Sequence, residues 1–502
     1  MAALAHEPVH ATAPERFASV LSPGEYEALL GLVDQAARQL HGRVIWNVNS
    51  TAKGGGVVEM LRPLLGYCRG AGVDARWAVI SGTPEFFAIT KRIHNRLHGF
   101  AGDGGPLGDS EREVYEETLA ASARELVELV RPGDIVILHD PQTAGLAAAI
   151  RATGATVMWR CHVGLDAANE HAREAWDFLR GHVLNAHVFI FSRAGFAWEG
   201  LPRDHVSVIR PSIDAFAPKN AEQTPEQSLA ILATAGVLAA EVDAYPAFIR
   251  SDGTPGRVQR RAEMLEEAPL TPDVPVVMQV SRWDQLKDPL GVLGAFADHV
   301  AGRSDAHLLL VGPSTAAVAD DPEGAQVLDA VRAAWHELPA AVRRRVHLCS
   351  LPMDDIEENA AIVNALQRHA AVVVQKSLAE GFGLTVAEAM WKQRPVVASR
   401  IGGIRDQIEH GRSGLLLPDP RDLPQVGAAV TELLADAERR RQIGVAAQRR
   451  VQQQFLGPHH LGRYFEVMQR VASQREHRRT DSSADPRTTS VASTVPDPAG
   501  RA

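Results

Sequence analysis

The feature that most constrains the fold is a regular alternation, over most of the chain, between short apolar runs and amphipathic helical patterns. Strands that alternate with helices predict parallel sheets with helical crossovers, so the sequence predicts an α/β protein. The runs form two groups, which predict two Rossmann-like sheets that face each other across a cleft. The first group comprises 43–49, 75–81, 134–140, 155–162 and 186–192, and the second comprises 274–281, 307–312, 346–350, 371–377, 395–399 and 414–418.

The size and charge of the chain limit its function classes. The chain has 502 residues, of which 45% are hydrophobic, so it is long enough for more than one buried core. Lys and Arg total 52 and Asp and Glu total 61, which leaves a formal net charge of −9. A mildly acidic protein has no general attraction for nucleic acid or for an anionic membrane. We therefore expect neither as a partner, and any phosphate site must be local.

Cysteine usage and the N-terminal sequence favour a protein of the reducing cytoplasm. Cys68, Cys161 and Cys349 are far apart and odd in number, so neither a disulfide framework nor a CxxC metal site is indicated. The N-terminus lacks the charged-then-apolar pattern of a signal peptide. The most apolar helical stretch, 229–240, is shorter than the roughly 18 residues that a membrane-spanning helix needs.

The two groups of strands set the expected domain boundaries. Residues 216–272, between the groups, have a helical pattern that the sequence RSDGTPG interrupts as an exposed turn. The end of the chain is rich in Ser, Thr, Pro and charge and poor in apolar side chains, which is typical of disorder. The expected organisation is an N-terminal extension (1–40), an N-terminal Rossmann-like domain (41–215), a C-terminal Rossmann-like domain (216–445), C-terminal helices that return to the N-terminal domain (446–475) and a disordered tail (476–502).

A glycine-rich loop follows the first strand of the first group. Gly54, Gly55 and Gly56 open a helix, and such a loop lets a phosphate or a sugar approach the backbone closely. It is not a dinucleotide fingerprint, because Glu59 stands where the third glycine would fall, and it lacks the Lys-Ser/Thr of a P-loop. A tight strand-to-helix turn without a ligand is the alternative explanation.

Polar side chains end several of the predicted strands. His139 and Asp140 end the third strand of the first group, and His162 ends the fourth. Their convergence on one sheet edge favours a site, although each histidine alone is also explained as a hydrogen-bonded structural residue. In the second group, Arg282 and Lys287 lie five residues apart in a loop that leads into a helix. Such a pair can clamp a diphosphate, and its alternative explanation is two ordinary surface cations.

Two glutamates, Glu380 and Glu388, lie eight positions apart in the sequence AEGFGLTVAEAM, directly after the run at 371–377. A strand, a glycine-bearing loop and a helix N-terminus form a site for an anionic ligand. Carboxylates there repel the anion unless they contact another part of the same ligand. Thr385 and Glu388 also match a capping box, which explains one acid but leaves Glu380 unexplained.

These motifs resemble those of a known enzyme family. EGFGLTVAE resembles the E-x7-E motif of retaining family-4 glycosyltransferases, which have two facing Rossmann-like domains (the GT-B architecture), and VSRWDQLKD resembles their Arg/Lys diphosphate clamp. The glycine-rich loop, the strand-end histidine, the clamp, the acid pair and SRIGGIRDQI follow in the family's order. The resemblance covers about residues 40–470, without parts of 240–270. VNSTAKGGGVVEMLRPLL, ARWAVISGTPEFFAITKRIHNRLHG and WRCHVGLD most resemble glycosyltransferring trehalose synthases and retaining trehalose phosphorylases.

The resemblance implies a role for each matching residue. Glu388 would accept hydrogen bonds from the ribose hydroxyls of a sugar nucleotide, and Glu380 would orient the donor sugar and stabilise its developing positive charge. Arg282 and Lys287 would neutralise the leaving diphosphate with no metal ion and no cofactor, and His162 would bind the donor hexose. The other residues of the predicted donor site are Gly55, Gly56, Gly383, Leu384 and Thr385, and those of the predicted acceptor or sugar site are Asn49, His139, Asp140, Gly402 and Gly403.

The function implied by the resemblance is that of a retaining hexosyltransferase. It would form α,α-trehalose from a nucleoside diphosphate glucose and glucose, in a reaction open to reversal. One alternative is a trehalose phosphorylase that uses glucose 1-phosphate, and another is a sugar-nucleotide binding protein without activity. The full set of clamp, acids and histidine argues against the second alternative. The sequence does not distinguish UDP, ADP and GDP, and it leaves a homodimer open.

Overall fold

A computed structural model describes residues 3–52, 55–315 and 322–483, and its strands form two large sheets and one hairpin. The strands are β1 (Leu4–Glu7), β2 (Val44–Asn49), β3 (Asp74–Ile80), β4 (Ile135–His139), β5 (Thr156–Cys161), β6 (Val188–Phe191), β7 (Val206–Val208), β8 (Ala247–Ile249), β9 (Pro255–Arg257), β10 (Glu263–Leu265), β11 (Val276–Val280), β12 (His307–Pro313), β13 (Val346–Leu351), β14 (Val372–Gln375), β15 (Val396–Ser399) and β16 (Leu415–Leu417). Each of the predicted strand runs overlaps one of these strands.

Helices fill most of the connections between the strands. They are α1 (Pro23–Gln39), α2 (Gly56–Gly70), α3 (Pro84–Leu97), α4 (Asp109–Leu129), α5 (Asp140–Thr143), α6 (Ala147–Ala152), α7 (Glu170–Val183), α8 (Pro225–Thr234), α9 (Pro289–His299), α10 (Pro322–Glu337), α11 (Ala340–Arg343), α12 (Ile356–His369), α13 (Leu384–Trp391), α14 (Ile404–Gln407), α15 (Leu423–Ala435), α16 (Ala437–Gln454) and α17 (Gly457–Ser483). No helix within the described ranges combines the length and the apolar character that a membrane crossing requires.

The two large sheets share one topology of seven strands. The first has the order β1-β3-β2-β4-β5-β6-β7, and the second has the order β10-β13-β12-β11-β14-β15-β16. In each sheet the first strand of that order is antiparallel to its neighbour and the other strands are parallel. Every residue of β2, β4, β5 and β11 is buried, because helices cover both faces of the sheets. The prediction of an α/β protein with two Rossmann-like sheets is confirmed.

The strand order creates a crevice at one place in each sheet. In the first sheet the chain runs from β2 outward to β3 and then returns to the other side of β2 as β4. In the second sheet it runs from β11 through β12 to β13 and returns beside β11 as β14. At such a reversal the connections after the two central strands diverge, so a ligand can reach the carboxyl ends between them.

The largest departures from the predicted elements lie in short strands. The N-terminal extension supplies β1, which pairs with β3 along the edge of the first sheet. The stretch 216–272, predicted to be helical, contains α8 but also the hairpin β8–β9 and the edge strand β10. The predicted exposed turn in this stretch is the turn of that hairpin. These short strands are largely exposed, so they lack the apolar run that identifies a buried strand in a sequence.

The C-terminal helix packs against the first sheet rather than the second. Phe465, Met468 and Val471 of α17 lie in one apolar cluster with Ile45 of β2 and Ile137 of β4. We therefore propose the domain division given above, with the end of the chain returning to the N-terminal half. The helix continues to Ser483, so the first part of the predicted disordered tail is helical. The rest of that tail, 484–502, lies outside the described residues.

Candidate active site

The two crevices meet where the N-termini of α2 and α13 approach each other. A Cβ atom placed on Gly56, the first residue of α2, would lie only 3.1 Å from Cδ1 of Leu384, the first residue of α13. Gly55 has a φ of 82° and is the N-cap of α2. Because glycine has no side chain to accept a hydrogen bond, the first N–H groups of α2 have no side-chain cap. Gly54 of the same loop lies outside the described residues. Two helix N-termini from different sheets thus converge on one region, where an anion is favoured.

The clamp loop brings Lys287 to the acid that follows β14. Gln279 of β11 donates from Nε2 to the carbonyl oxygen of Lys287 at 2.7 Å, which fixes the end of the loop. Lys287 Nζ then lies 2.5 Å from Glu380 Oε2, and both side chains are partly buried. Arg282 is instead 61% exposed and pairs with Asp284 at 3.0 Å. The predicted clamp therefore comprises one cation already held in the site and one that is free to reach a ligand.

Glycines allow the loop after β14 to take its shape. A Cβ atom on Gly402, whose φ is 42°, would lie 1.8 Å from the carbonyl oxygen of Glu380. The amide of Gly403 donates to the carbonyl oxygen of Gly381 at 2.9 Å. Gly383 has a φ of 82° and is the N-cap of α13. The predicted sugar-site glycines thus support the backbone around Glu380 by close approach.

The capping-box interpretation of Glu388 is wrong. Helix α13 begins at Leu384 with Gly383 as its N-cap and has no side-chain cap, so Thr385 lies inside the helix. Glu388 is therefore in the middle of a short helix and is only 4% exposed. A buried carboxylate away from the helix end needs another partner.

That partner is Lys219, a residue of the connection between the two sheets. Lys219 Nζ lies 3.7 Å from Glu388 Oε1 and 2.9 Å from both carboxylate oxygens of Glu59 on α2. Burial raises the pKa of Glu388. Burial also works to lower the pKa of Lys219, but the nearby carboxylates of Glu388 and Glu59 raise that pKa above its usual range. A charged lysine thus joins α2, the connection and α13.

Residues of the first sheet form a second polar group at the ends of β4 and β5. Asp140 accepts hydrogen bonds from the amide of His162 at 2.8 Å and from its Nδ1 at 3.0 Å, and Arg160 Nε donates to His162 Nε2 at 3.2 Å. Both ring nitrogens of His162 are therefore engaged within the protein. The rings of His139 and His162 stack with centroids 5.4 Å apart.

The ionisation of this group follows from burial and from these contacts. Burial works to raise the pKa of Asp140, but the charge and hydrogen bonds of His162 lower it to about 2. Burial lowers the pKa of His162 and holds the pKa of His139 well below its usual range. The site therefore presents a carboxylate beside two neutral imidazoles at neutral pH.

Two other predicted sugar-site residues make internal contacts. His139 Nε2 lies 3.0 Å from Asn47 Oδ1, and Asn49 accepts a hydrogen bond from Trp77 Nε1 at 2.8 Å. These contacts agree with the structural alternative for His139. The main chain of His162 lies next to the second half of the protein. Its carbonyl oxygen is 3.1 Å from the position that a Cβ atom on Gly381 would take.

Ion pairs hold the two halves together beside this contact. Arg193 Nε of the first half lies 3.2 Å from Asp406 Oδ2 of α14. Arg405 Nη1 of α14 lies 3.2 Å from Asp166 Oδ2, in the loop after β5. These pairs place the loop around Gly381 against the carboxyl ends of β4 and β5.

Several charged residues of the site carry no sequence signal that identifies them. Lys219 lies in a connection, Arg160 lies within a buried strand, and Lys376 follows β14 and pairs with Asp288 at the start of α9. All three look like isolated basic residues in the sequence. The partners of Lys219 and Lys376 lie far along the chain, so only the folded arrangement reveals them.

Both halves of the chain match known protein families. Residues 47–198 match the family model "Trehalose synthase, N-terminal domain", and residues 261–450 match "Glycosyl transferases group 1". A trehalose synthase of Pyrococcus horikoshii is 31% identical over 88% of this chain and 95% of its own length. A trehalose phosphorylase of Pleurotus pulmonarius is 25% identical over 84% of this chain and 56% of its own length. A solved α,α-trehalose-phosphate synthase of Burkholderia xenovorans shares the fold, with a TM-score of 0.64, 15% identity and coverage of 86% of this chain and 100% of that chain.

Proposed function

Because the chain belongs to the trehalose synthase family of retaining GT-B glycosyltransferases, we propose that it transfers glucose from a nucleoside diphosphate glucose to free glucose and forms α,α-trehalose. The observation that carries this proposal is the contact between Lys287 and Glu380 at the crevice of the second sheet. It joins the cation suited to a leaving diphosphate to the acid suited to a sugar.

The clamp residues act on the leaving group. Lys287 binds the diphosphate as a point charge, and Arg282 moves from Asp284 to provide a planar fork of donors. Both contacts strengthen as negative charge develops on the leaving oxygen, so they stabilise the transition state more than the bound substrate. The amides at the starts of α2 and α13 complete the phosphate site, which includes Gly55, Gly56 and the Gly383–Thr385 segment.

The acids act on the neutral parts of the donor. Glu388 accepts hydrogen bonds from the ribose hydroxyls, and the charge of Lys219 opposes the rise in its pKa that burial causes. Glu380 orients the glucose hydroxyls and stabilises the positive charge that develops on the sugar ring. In this proposal the departing phosphate accepts the proton of the attacking hydroxyl on the same face of the sugar, which retains the anomeric configuration.

The first sheet binds the sugars across the cleft from these groups. Asp140 is ionised and lies beside the loop that carries Glu380, so it accepts a hydrogen bond from a sugar hydroxyl. The main-chain carbonyl of His162, which faces Gly381, is the part of this residue best placed to contact the donor hexose. The ring of His162 fixes that main chain through Asp140 and Arg160.

The reverse reaction tests this proposal. Purified protein is incubated with trehalose and, in separate reactions, with UDP, ADP, GDP or inorganic phosphate, and the sugar products are identified. A nucleoside diphosphate glucose formed with one of the nucleotides supports the proposal. Glucose 1-phosphate formed with phosphate alone identifies a phosphorylase instead. Binding of a nucleotide without any product identifies a protein that binds sugar nucleotides without activity.

A further inference from the structure

The last turn of α3 brings two histidines to the boundary between the halves. His94 and His98 are four positions apart on α3 and its C-cap, and their ring centroids lie 4.9 Å from each other. Helix α3 packs against α5 and α7, which follow β4 and β5. The pair is therefore part of the same sheet edge as Asp140.

His98 is the member of the pair that reaches the opposite half. Its Cε1 atom lies 3.9 Å from the position that a Cβ atom on Gly381 would take. Asn169 donates from Nδ2 to the carbonyl oxygen of Gly99 at 2.8 Å, which ties the end of α3 to the loop that follows His162. The imidazole of His98 thus lies between this loop and the residue next to Glu380.

The ring of His98 makes no hydrogen bond to another residue of the described part of the chain. His94 Nδ1 is buried without a partner, and no hydrogen bond or ion pair joins the ring of His98 to another described residue. Burial of a polar ring that has no hydrogen-bond partner destabilises the folded protein, unless a ligand or an ordered water supplies the hydrogen bond. Half-buried and unpartnered, the ring of His98 is suited to receive a ligand.

The charge state of His98 limits the kind of ligand. Burial, together with His94, Lys287 and Lys91, holds the pKa of His98 well below its usual range, while Asp140 acts in the opposite direction. The ring is therefore neutral at neutral pH and adds no charge for a phosphate. A neutral imidazole has one N–H donor and one lone pair, which matches a hydroxyl that both donates and accepts.

We propose that His98 hydrogen-bonds a hydroxyl group of the acceptor hexose and contributes to the choice of acceptor. The groups assigned to the donor lie mainly in the half of the second sheet, whereas His98 lies in the half of the first sheet, at the C-cap of α3. This inference rests on the proposed function, because it takes free hexose as the acceptor. If the inference is correct, loss of the His98 contact weakens the binding of the acceptor sugar and leaves the binding of the nucleotide sugar unchanged.

The test separates acceptor binding from donor binding. In His98→Leu, which removes both polar nitrogens, the KM for glucose rises about five- to twentyfold, while the KM for the nucleotide sugar changes less than about twofold. In His98→Gln, whose amide both donates and accepts, most of the affinity for glucose remains. His41→Leu, the same change at an exposed histidine, leaves both KM values unchanged.

Other outcomes overturn the inference. An unchanged KM for glucose in His98→Leu, or an equal rise in both KM values, shows that the ring has no selective role in acceptor binding. If the leucine variant does not fold, His98→Asn replaces it; its shorter amide does not reach the position of the ring Nε2, so the same rise in the KM for glucose alone is expected. If the wild type makes no trehalose, the proposed function fails, and calorimetric binding of glucose in the presence of each nucleoside diphosphate still decides whether His98 contacts the hexose.

Discussion

Lys287 Nζ lies 2.5 Å from Glu380 Oε2, although 93 positions of sequence separate the two residues. The contact forms because β11 and β14 are neighbours at the crevice of the second sheet, so the loops that follow them meet. The two opposite charges lie in contact and compensate each other. A bound diphosphate competes for the lysine, and we expect this competition to release Glu380 toward the sugar.

Removal of either clamp cation is expected to slow turnover without unfolding the protein. Lys287→Ala and Arg282→Ala each lose a contact that strengthens with the charge of the leaving group, so kcat is expected to fall about 10²-fold or more. Arg344→Ala removes an exposed arginine of the same half and is the matched control. Steady-state kinetics and melting temperatures measure the two effects. Near-normal turnover in both clamp variants contradicts the assignment of the diphosphate site.

Gly402→Ala is expected to displace the loop that carries Glu380. The new Cβ atom would lie 1.8 Å from the carbonyl oxygen of Glu380, at a φ that disfavours alanine, so the backbone must move. We expect a loss of about 1–3 kcal/mol in the free energy of unfolding and at least about a tenfold loss of kcat.

A matched glycine in an ordinary helix provides the control for this prediction. Gly31 lies inside α1, and a Cβ atom there meets nothing within 4 Å. Gly31→Ala is expected to stabilise the protein by about 0.5–1 kcal/mol and to leave activity unchanged. Denaturant unfolding and kinetics of both variants make the comparison, and wild-type activity in Gly402→Ala would show that the loop tolerates the displacement.

Glu388→Gln is expected to weaken nucleotide binding through the ribose. A charged acceptor is replaced by a weaker neutral one, so the affinity for the nucleoside diphosphate falls by roughly 1 to 3 kcal/mol. The same change matters much less for the 2′,3′-dideoxy nucleotide, which lacks both hydroxyls. Calorimetric titration of wild type and variant with both ligands measures the difference. Equal losses for both ligands contradict the ribose contact and leave Glu388 as the structural partner of Lys219.

Acid is expected to destabilise the second half through a pair of histidines remote from the cleft. His307 Nδ1 lies 2.9 Å from His347 Nε2, and His347 Nδ1 lies 2.7 Å from Glu266 Oε2. Burial, with the charges of His347 and Arg345, lowers the pKa of His307 to about 4. The unfolded chain therefore binds more protons than the folded protein between this pKa and the usual value of about 6.5, and stability falls as pH falls through that window.

The variant His307→Gln isolates this contribution. It removes the titrating ring but keeps a side chain that can hydrogen-bond to His347, so the free energy of unfolding is expected to depend less on pH between about 6.5 and 4 than in the wild type. His41→Gln removes an exposed histidine and serves as the control. Its free energy of unfolding is expected to depend on pH as that of the wild type does. Identical pH dependence in His307→Gln and wild type contradicts the depressed pKa.

Sequence patterns predicted the parts of the fold that depend on long apolar runs. Fully buried strands such as β2 and β14 are recognisable in the sequence as continuous apolar runs, because both of their faces require apolar side chains. Strand β1 and the hairpin β8–β9 were missed, because these short strands are largely exposed and lack the apolar run of a buried strand. The capping-box interpretation failed for a different reason. Gly383 takes the N-cap position with a positive φ, which the spacing of Thr385 and Glu388 does not reveal.

The candidate site was predictable only where residue types cluster in the sequence. Glu380 lies beside a glycine and Lys287 lies in the loop after a predicted strand, and the structure brings them into contact. Neither Lys219 nor His98 lies in a loop that directly follows a buried strand. Their significance comes from burial and from partners on other elements, which depend on how the two sheets face each other.

The most direct test of the central claim follows an isotopic label through the forward reaction. The enzyme is supplied with glucose labelled with ¹³C at C1 and with unlabelled UDP-, ADP- or GDP-glucose, and the products are observed by NMR. The account predicts, with at least one donor, α,α-trehalose that carries one labelled α-anomeric carbon per molecule and the release of one nucleoside diphosphate per trehalose. Labelled trehalose that appears only when glucose 1-phosphate replaces the nucleotide sugar, or no labelled disaccharide with any donor, would contradict it.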